Sequence, residues 1–171
     1  MSEIIVIAHN IRSTHNVGSI FRTAEGFGVA RIILSGYTPY PIVASDTRLP
    51  HLSRKITDQI HKTALGAEDL VPFEHQLDIN LQTLKAQGYR IVGLEQADRS
   101  VNLADYIPPQ RIALLLGEEV EGIPRELLEQ CEDIIEIPMS GRKESFNVSV
   151  AAGIALYSLR VGLAPLNVFS K

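Results

Sequence analysis

The chain has 171 residues, 45% hydrophobic and 21% charged, an ordinary balance for one soluble domain with a sizeable core. Its net charge of −4 and isoelectric point near 5.7 argue against a broadly basic nucleic-acid surface, although a local patch or a groove shared by two subunits can be basic within an acidic whole. A single cysteine excludes an intrachain disulfide and a cysteine metal cluster, and the lack of a leader pattern or a membrane-length apolar run reads as a cytosolic chain with no membrane partner.

Ile4 to Ala8 predicts a first strand, too continuously apolar to have one wet face. The polar loop His9 to Asn16 leads into a helix, with Asn16 a candidate N-cap. Val17, Ile20, Phe21, Ala24 and Phe27 recur at helical spacing as its buried stripe, and Arg22 falls off that stripe. Arg22 lies about 9 Å of rise beyond Asn16. Helical side chains lean toward the N-terminus, so the two are expected to face one cleft.

Gly26 and Gly28 end this helix, and Arg31 to Leu34 gives a second strand. Ser35 to Leu52 reads as a long loop, and the stretch holding Arg48, His51, Arg54 and Lys55 is the most basic of the chain. A short helix (Ile56 to Leu65), a strand (Leu70 to Phe73) and a helix (Leu77 to Gln87, stopped by Gly88) follow. Tyr89 to Leu94 is a further strand, and Asp98 to Pro109 a loop. The five histidines lack the paired spacing of a metal site.

Arg111 to Leu159 organises the rest. It reads as a buried strand (Ile112 to Leu116), a Gly/Glu loop, a short helix opened by Pro124, a strand (Asp133 to Ile137), a polar loop and an apolar closing helix (Asn147 to Leu159). Alternating strands and helices predict an α/β fold with a mostly parallel sheet flanked by helices, and ligands in such sheets sit at the carboxyl ends of strands. The loop Gly117-Glu118-Glu119-Val120-Glu121-Gly122 carries three carboxylates and no Lys, Arg, Ser or Thr. A phosphate would be repelled there, whereas a cationic ligand such as a sulfonium would be tolerated. No Walker, GxGxxG or Gly-x-Ser-x-Gly sequence occurs.

The strand IIEIPM, the loop SGRKE and Ser145-Phe146-Asn147-Val148-Ser149-Val150-Ala151-Ala152 closely resemble the last motif of the SpoU (TrmH-type) RNA 2′-O-ribose methyltransferases of the SPOUT superfamily. Gly117 to Gly122 looks like their middle motif, with Glu119 in the place of its glutamate, and Asn16-Val17-Gly18-Ser19-Ile20-Phe21-Arg22 resembles the first. The three motifs occur in order within Asn10 to Leu159.

This resemblance implies a single SPOUT domain over residues 1–171 with a deep C-terminal trefoil knot, the knot and cofactor site falling within 89–160. It further implies S-adenosylmethionine as cofactor, methyl transfer to a ribose 2′-hydroxyl of tRNA or rRNA, no metal, and a homodimer whose sites draw on both subunits. Carried onto this chain, the catalytic positions are Arg22, Asn16, Glu119, Ser145 and Asn147. Arg22 would either take the hydroxyl proton, helped by the RNA phosphate, or bind the phosphate beside the target ribose and stabilise developing alkoxide charge, the role better suited to a guanidinium, which is a poor base at neutral pH. Glu119 would orient Arg22 by an ion pair or accept a hydrogen bond, and Asn147 could also cap the closing helix.

Leu94, Gly117, Ile137, Met139 and Phe146 match cofactor-bordering positions, Phe146 standing where leucine is common. Glu118 and Val120 depart from the commoner small or amide residues. No separate RNA-binding domain is expected, so the long basic loop is a candidate RNA contact, and the closing helix with part of the first is the expected dimer surface. The competing reading is a catalytically weak RNA-binding or assembly module that retains the fold.

Overall fold

The computed structural model describes residues 2–161. Its strands are β1 (Glu3–His9), β2 (Arg31–Ser35), β3 (Phe73–Gln76), β4 (Arg90–Leu94), β5 (Val101–Asn102), β6 (Arg111–Leu116) and β7 (Asp133–Glu136). Its helices are α1 (Thr14–Gly26), α2 (Pro50–Ala64), α3 (Ala67–Leu70), α4 (Leu81–Ala86), α5 (Arg125–Leu128) and α6 (Val148–Val161), with a 3-10 turn at Leu103–Asp105. The strands form one sheet in the order β3-β2-β1-β6-β4-β7-β5, and every pairing is parallel.

The apolar runs explain the layering. Alternate residues of a strand point to opposite faces, and both faces of β1 and β6 are sealed. Ile4, Val6, Ala8, Ile112, Leu114 and Leu116 pack with Val17, Phe21, Ile60 and Leu156 of α1, α2 and α6. Ile5, Ile7, Ala113 and Leu115 pack on the other face with Leu81 and Leu84 of α4, and with Leu128 and Cys131 at the end of α5. Burying one such aliphatic side chain stabilises by about 1.5–3 kcal/mol. Cys131 is the small core residue its apolar frame suggests, and burial pushes its thiol up to about 11.

Five local expectations change. Ser13, not Asn16, caps α1, its side chain accepting the Asn16 N–H at 3.3 Å. Pro50 occupies the first turn of α2, where its fixed φ suits the helix, so α2 begins six residues before Ile56 and shortens the long loop. The strand expected at Leu70 to Phe73 is instead α3 followed by β3, because Pro72 precedes the paired residues. Asn80 caps a shorter α4, its side chain accepting from Thr83 N. The loop expected at Asp98 to Pro109 contains edge strand β5, whose two residues pair only with β7.

One crossing positions the site. β7 lies between β4 and β5, which are themselves joined by residues 95–100. Leu94 and Val101 both register with Ile135, so that connection spans the carboxyl end of β7.

α1 and α2 meet with almost no gap. A Cβ on Gly18 would lie 2.2 Å from the Ile60 carbonyl oxygen and 2.2 Å from Thr63 Oγ1. Gly18→Ala is therefore expected to force the helices apart at a cost of about 1–3 kcal/mol. In a domain of this size that lowers the melting temperature by about 2–4 °C per kcal/mol; a calorimetric melt unchanged within 1 °C, on the order of experimental error for such shifts, would contradict this account.

Candidate active site

The carboxyl ends of β1, β4, β6 and β7 open into four loops, and hydrogen bonds tie these loops to one another. The chain leaves β1 through Asn10, a left-handed residue (φ 58) whose side chain accepts the Tyr37 N–H. The Thr38 hydroxyl donates to Ala8 O and accepts from Ile11 N, which pins the β1–α1 loop to the segment after β2. At the opposite side of the cleft, the Glu95 carboxylate accepts Ile123 N at 2.9 Å and Gln96 N at 3.0 Å. Gly122 permits this, having φ +73 and no room for a Cβ, which would lie 2.2 Å from Glu95 Oε2. Gln96 in turn donates to the Glu144 carbonyl at 2.6 Å.

Glu119 links three segments. One oxygen accepts the Asn16 side-chain amide at 2.9 Å and the Ser13 N–H at 3.4 Å, while the other accepts the Arg12 N–H at 3.2 Å. Asn16 Oδ1 then accepts the Asn147 side-chain amide at 3.1 Å. Asn147 Oδ1 accepts Ser149 N at 2.9 Å, so this residue both caps α6 and reaches the network. Burial alone would raise the Glu119 carboxyl, but the hydrogen bonds from Asn16, Arg12 and Ser13 outweigh it and hold the group below its ordinary value.

Beside this network lies a cleft between the ends of β4, β6 and β7. Of the positions singled out in the sequence, Leu94, Gly117, Glu119, Ile137, Ser145 and Phe146 line its wall. Met139 is half-buried and does not line it. Five glutamates, 95, 118, 119, 121 and 136, line the cleft without a Lys or Arg, so it favours positive charge and disfavours phosphate.

Arg22 does not join the cluster. It is exposed and makes no ion pair or side-chain hydrogen bond with the described residues. Six residues of helix turn it about 120° round the axis from Asn16. Asn16 shares with Thr23 the side of α1 that meets Gly153 of α6, whereas Arg22 follows Gly18 on the side turned toward α2. The expected Glu119–Arg22 ion pair is accordingly absent among the described residues, and Glu119 is satisfied by uncharged donors instead.

The sequence reading missed Arg12. Its guanidinium, 65% exposed, stands 2.5 Å from the nearly buried Glu118 carboxylate. The contact is one of charge, since Glu118 Oε1 lacks an aligned hydrogen bond. Tyr37 and then Glu118 raise the Arg12 guanidinium further above its usual range. Glu118 also accepts the Glu121 N–H at 2.9 Å, so this departure from the commoner motif residue shapes the turn and anchors Arg12. The only sequence signal for Arg12 was its place in the loop directly before the helix cap. Glu95 was better signposted, as the residue following a strand end.

With this geometry in view, the family model for the SpoU rRNA Methylase family matches residues 3–157. The chain belongs to this family. It is 35% identical over 161 residues to the tRNA (guanosine(18)-2′-O)-methyltransferase TARBP1 of Mus musculus, covering 92% of this chain and 9% of that protein. It is 35% identical over 156 residues to the 23S rRNA (guanosine-2′-O-)-methyltransferase RlmB of Nitrosomonas europaea, covering 90% of this chain and 54% of that protein. The chain thus spans about half of the bacterial relative and a far smaller part of the mouse one.

Among solved structures, the A. aeolicus TrmH/SpoU tRNA modifying enzyme superposes with a TM-score of 0.75 at 27% identity, covering 94% of this chain and 75% of that one. An AdoMet-bound rRNA methyltransferase from Sinorhizobium meliloti gives 0.74 at 25% identity, covering 94% and 57%. The parallel α/β architecture is therefore that of the family.

The Glu119 network has a pH signature. A carboxyl held below its unfolded value of 4.5 contributes stability that is present above that value and is lost as pH falls through the folded one. Glu119→Gln is expected to be less stable than the wild type at pH 7, with the difference shrinking below pH 4.5. Parallel urea titrations between pH 7 and pH 3 check this, and a difference constant across that range would refute it.

Proposed function

We propose that this chain transfers a methyl group from S-adenosylmethionine to a ribose 2′-hydroxyl of tRNA or rRNA. The observation that carries the reading is the position of the Asn16–Glu119–Asn147 network on the rim of an acidic, phosphate-averse cleft. Family membership and the names of the relatives support it. Among the described residues no helix is long and apolar enough to cross a membrane, and no group of three His, Cys, Asp or Glu side chains could hold a metal. The buried thiol of Cys131 suits a reducing cytosol.

The cleft's own residues fit the cofactor. Its carboxylates favour a cationic group, and Leu94, Ile137 and Phe146 supply apolar wall for an aromatic base. When bound, S-adenosylmethionine supplies a methyl group already activated by its sulfonium. The chain's task is then to hold the ribose hydroxyl in line and to stabilise the charge that develops on its oxygen. Ser145 and Asn16 offer short neutral hydrogen-bonding groups for positioning the ribose. Glu119 fixes Asn16. A guanidinium remains cationic at neutral pH, which suits Arg22 to binding the adjacent phosphate and stabilising the alkoxide.

The orientation of Arg22 favours a homodimer in which it serves the partner's site. Val150, Ile154, Tyr157 and Val161 form an exposed apolar stripe along α6, the kind of face a second copy would cover. The trefoil knot that the resemblance implies would form where the loop of residues 137–147 meets the connection 95–100, a reading supported by the hydrogen bond from Gln96 to the Glu144 carbonyl.

Calorimetric titration should find one S-adenosylmethionine per subunit and no binding of ATP. A folded protein that ignores the cofactor with and without RNA would instead favour the RNA-binding module. Arg22→Ala and Asn147→Ala should each cut methyl transfer to RNA by more than about 100-fold. If Arg22 works across the dimer, mixing the two variants after partial unfolding should restore about a quarter of wild-type activity, because each mixed dimer has one intact site. No recovery in the mixture would place Arg22 in its own subunit's site.

A further inference from the structure

The chain's cations are unevenly committed. Seven described Lys and Arg side chains are ion-paired: Arg12, Arg31, Arg48, Lys85, Arg90, Arg111 and Arg125. Arg99 and Arg160 hold main-chain carbonyls at the ends of α5 and α1. Among the described residues, this leaves Arg22, Arg54, Lys55, Lys62, Arg142 and Lys143 without a carboxylate or carbonyl partner. Three of these stand on α2, one lies across the α1–α2 seam, and two lie in the loop before α6.

The α2 group is a face rather than a scatter. At about 100° per residue, Arg54, Lys55 and Lys62 fall within one sector of the helix. The buried Ser53, Ile60 and Ala64 occupy the opposite side. His51 shares the exposed sector, as does Asp58, the only carboxylate on the helix, which the three cations outnumber. From Arg54 to Lys62 the face runs about 12 Å. Gly18 packs on Ile60 and Thr63, so α1 lies behind this face, and the exposed Arg22 stands one turn beyond Gly18.

In a chain of net charge −4, such a face attracts a polyanion that the acidic remainder of the molecule does not. We propose that the outward face of α2, through Arg54, Lys55 and Lys62, is the surface along which the RNA backbone runs, leading to Arg22 and the methyl-transfer site. The proposal rests on the RNA methyltransferase reading. It explains how a protein with no general basic surface holds its substrate: the uncommitted cations bind phosphate without first breaking an ion pair. Binding there is sequence-neutral, since phosphate contacts fix position and register rather than base identity.

The test compares the wild type with a variant carrying Arg54→Ala, Lys55→Ala and Lys62→Ala. Arg125→Ala, which removes a surface cation already paired with Glu129, is the control. The probes are unmodified transcripts of tRNA and of rRNA fragments, with binding read across a salt series and S-adenosylmethionine affinity read separately by calorimetry. The triple variant should bind RNA at least tenfold more weakly, with the slope of log affinity against log salt reduced by about 2. Cofactor affinity, thermal melt and kcat at saturating RNA should be unchanged, and the control should match the wild type.

RNA affinity within twofold of wild type in the triple variant would overturn the proposal, as would failure of the wild type to bind either transcript. If the wild type bound RNA through this face but took no cofactor, the surface would stand and the methyltransferase reading would fall.

Discussion

The arrangement of the site depends on one carboxylate placed where three irregular segments meet. An all-parallel sheet sealed on both faces has its polar loops at strand ends, and such loops lack the repeating partners that a helix or sheet supplies. Glu119 offers two oxygens to the N–H groups of Arg12 and Ser13 and to the Asn16 amide. The Ser13 and Asn16 donors are partly buried, so losing their acceptor would carry a share of the cost of about 1–3 kcal/mol for a fully buried donor. Asn16 is thereby held with its oxygen directed at Asn147, so a residue of the β6 loop sets the geometry at the start of α6.

What the sequence disclosed was whatever depends on local periodicity or local loop chemistry. The runs at Ile4 to Ala8 and Ile112 to Leu116 foretold strands buried on both faces, and the α1 stripe foretold which side of that helix meets the sheet. The glutamate-rich loop and the polar run before the closing helix were legible because their residue types restrict what they can bind. The two-residue strand β5 was not, since it has no period of its own and is a strand only because β7 lies beside it. Pro50 was ambiguous for another reason: a proline ends a loop as readily as it opens a helix.

The two misreadings around α1 have one origin. Ser13 and Asn16 are both competent caps, and choosing Asn16 started the helix one turn late. With Asn16 outside the helix, only the axial distance to Arg22 seemed to matter. With Asn16 inside its first turn, the rotation between the two residues counts, and it separates them onto different sides. The same rotation that removes Arg22 from the cluster places it on the side of α1 turned toward α2.

Charge is therefore sorted within the molecule by carboxylate placement. The cleft keeps five glutamates at its wall, and most described cations elsewhere are neutralised by partners or carbonyls, so among the described residues positive potential survives only on α2, near Arg22 and in the loop before α6. A cationic cofactor and a polyanionic substrate would then be drawn to different places on one small domain. On the proposed methyltransferase reading they would still have to meet at a common ribose, and α6 is the element suited to join them. Asn147 caps that helix while hydrogen-bonding into the Glu119 network, and the exposed stripe from Val150 to Val161 lies on the same rigid rod. A second protomer packed on the stripe would fix its Arg22 relative to the Asn147 end of the helix, so substrate alignment would follow from the packing of one helix face rather than from the flexibility of a loop.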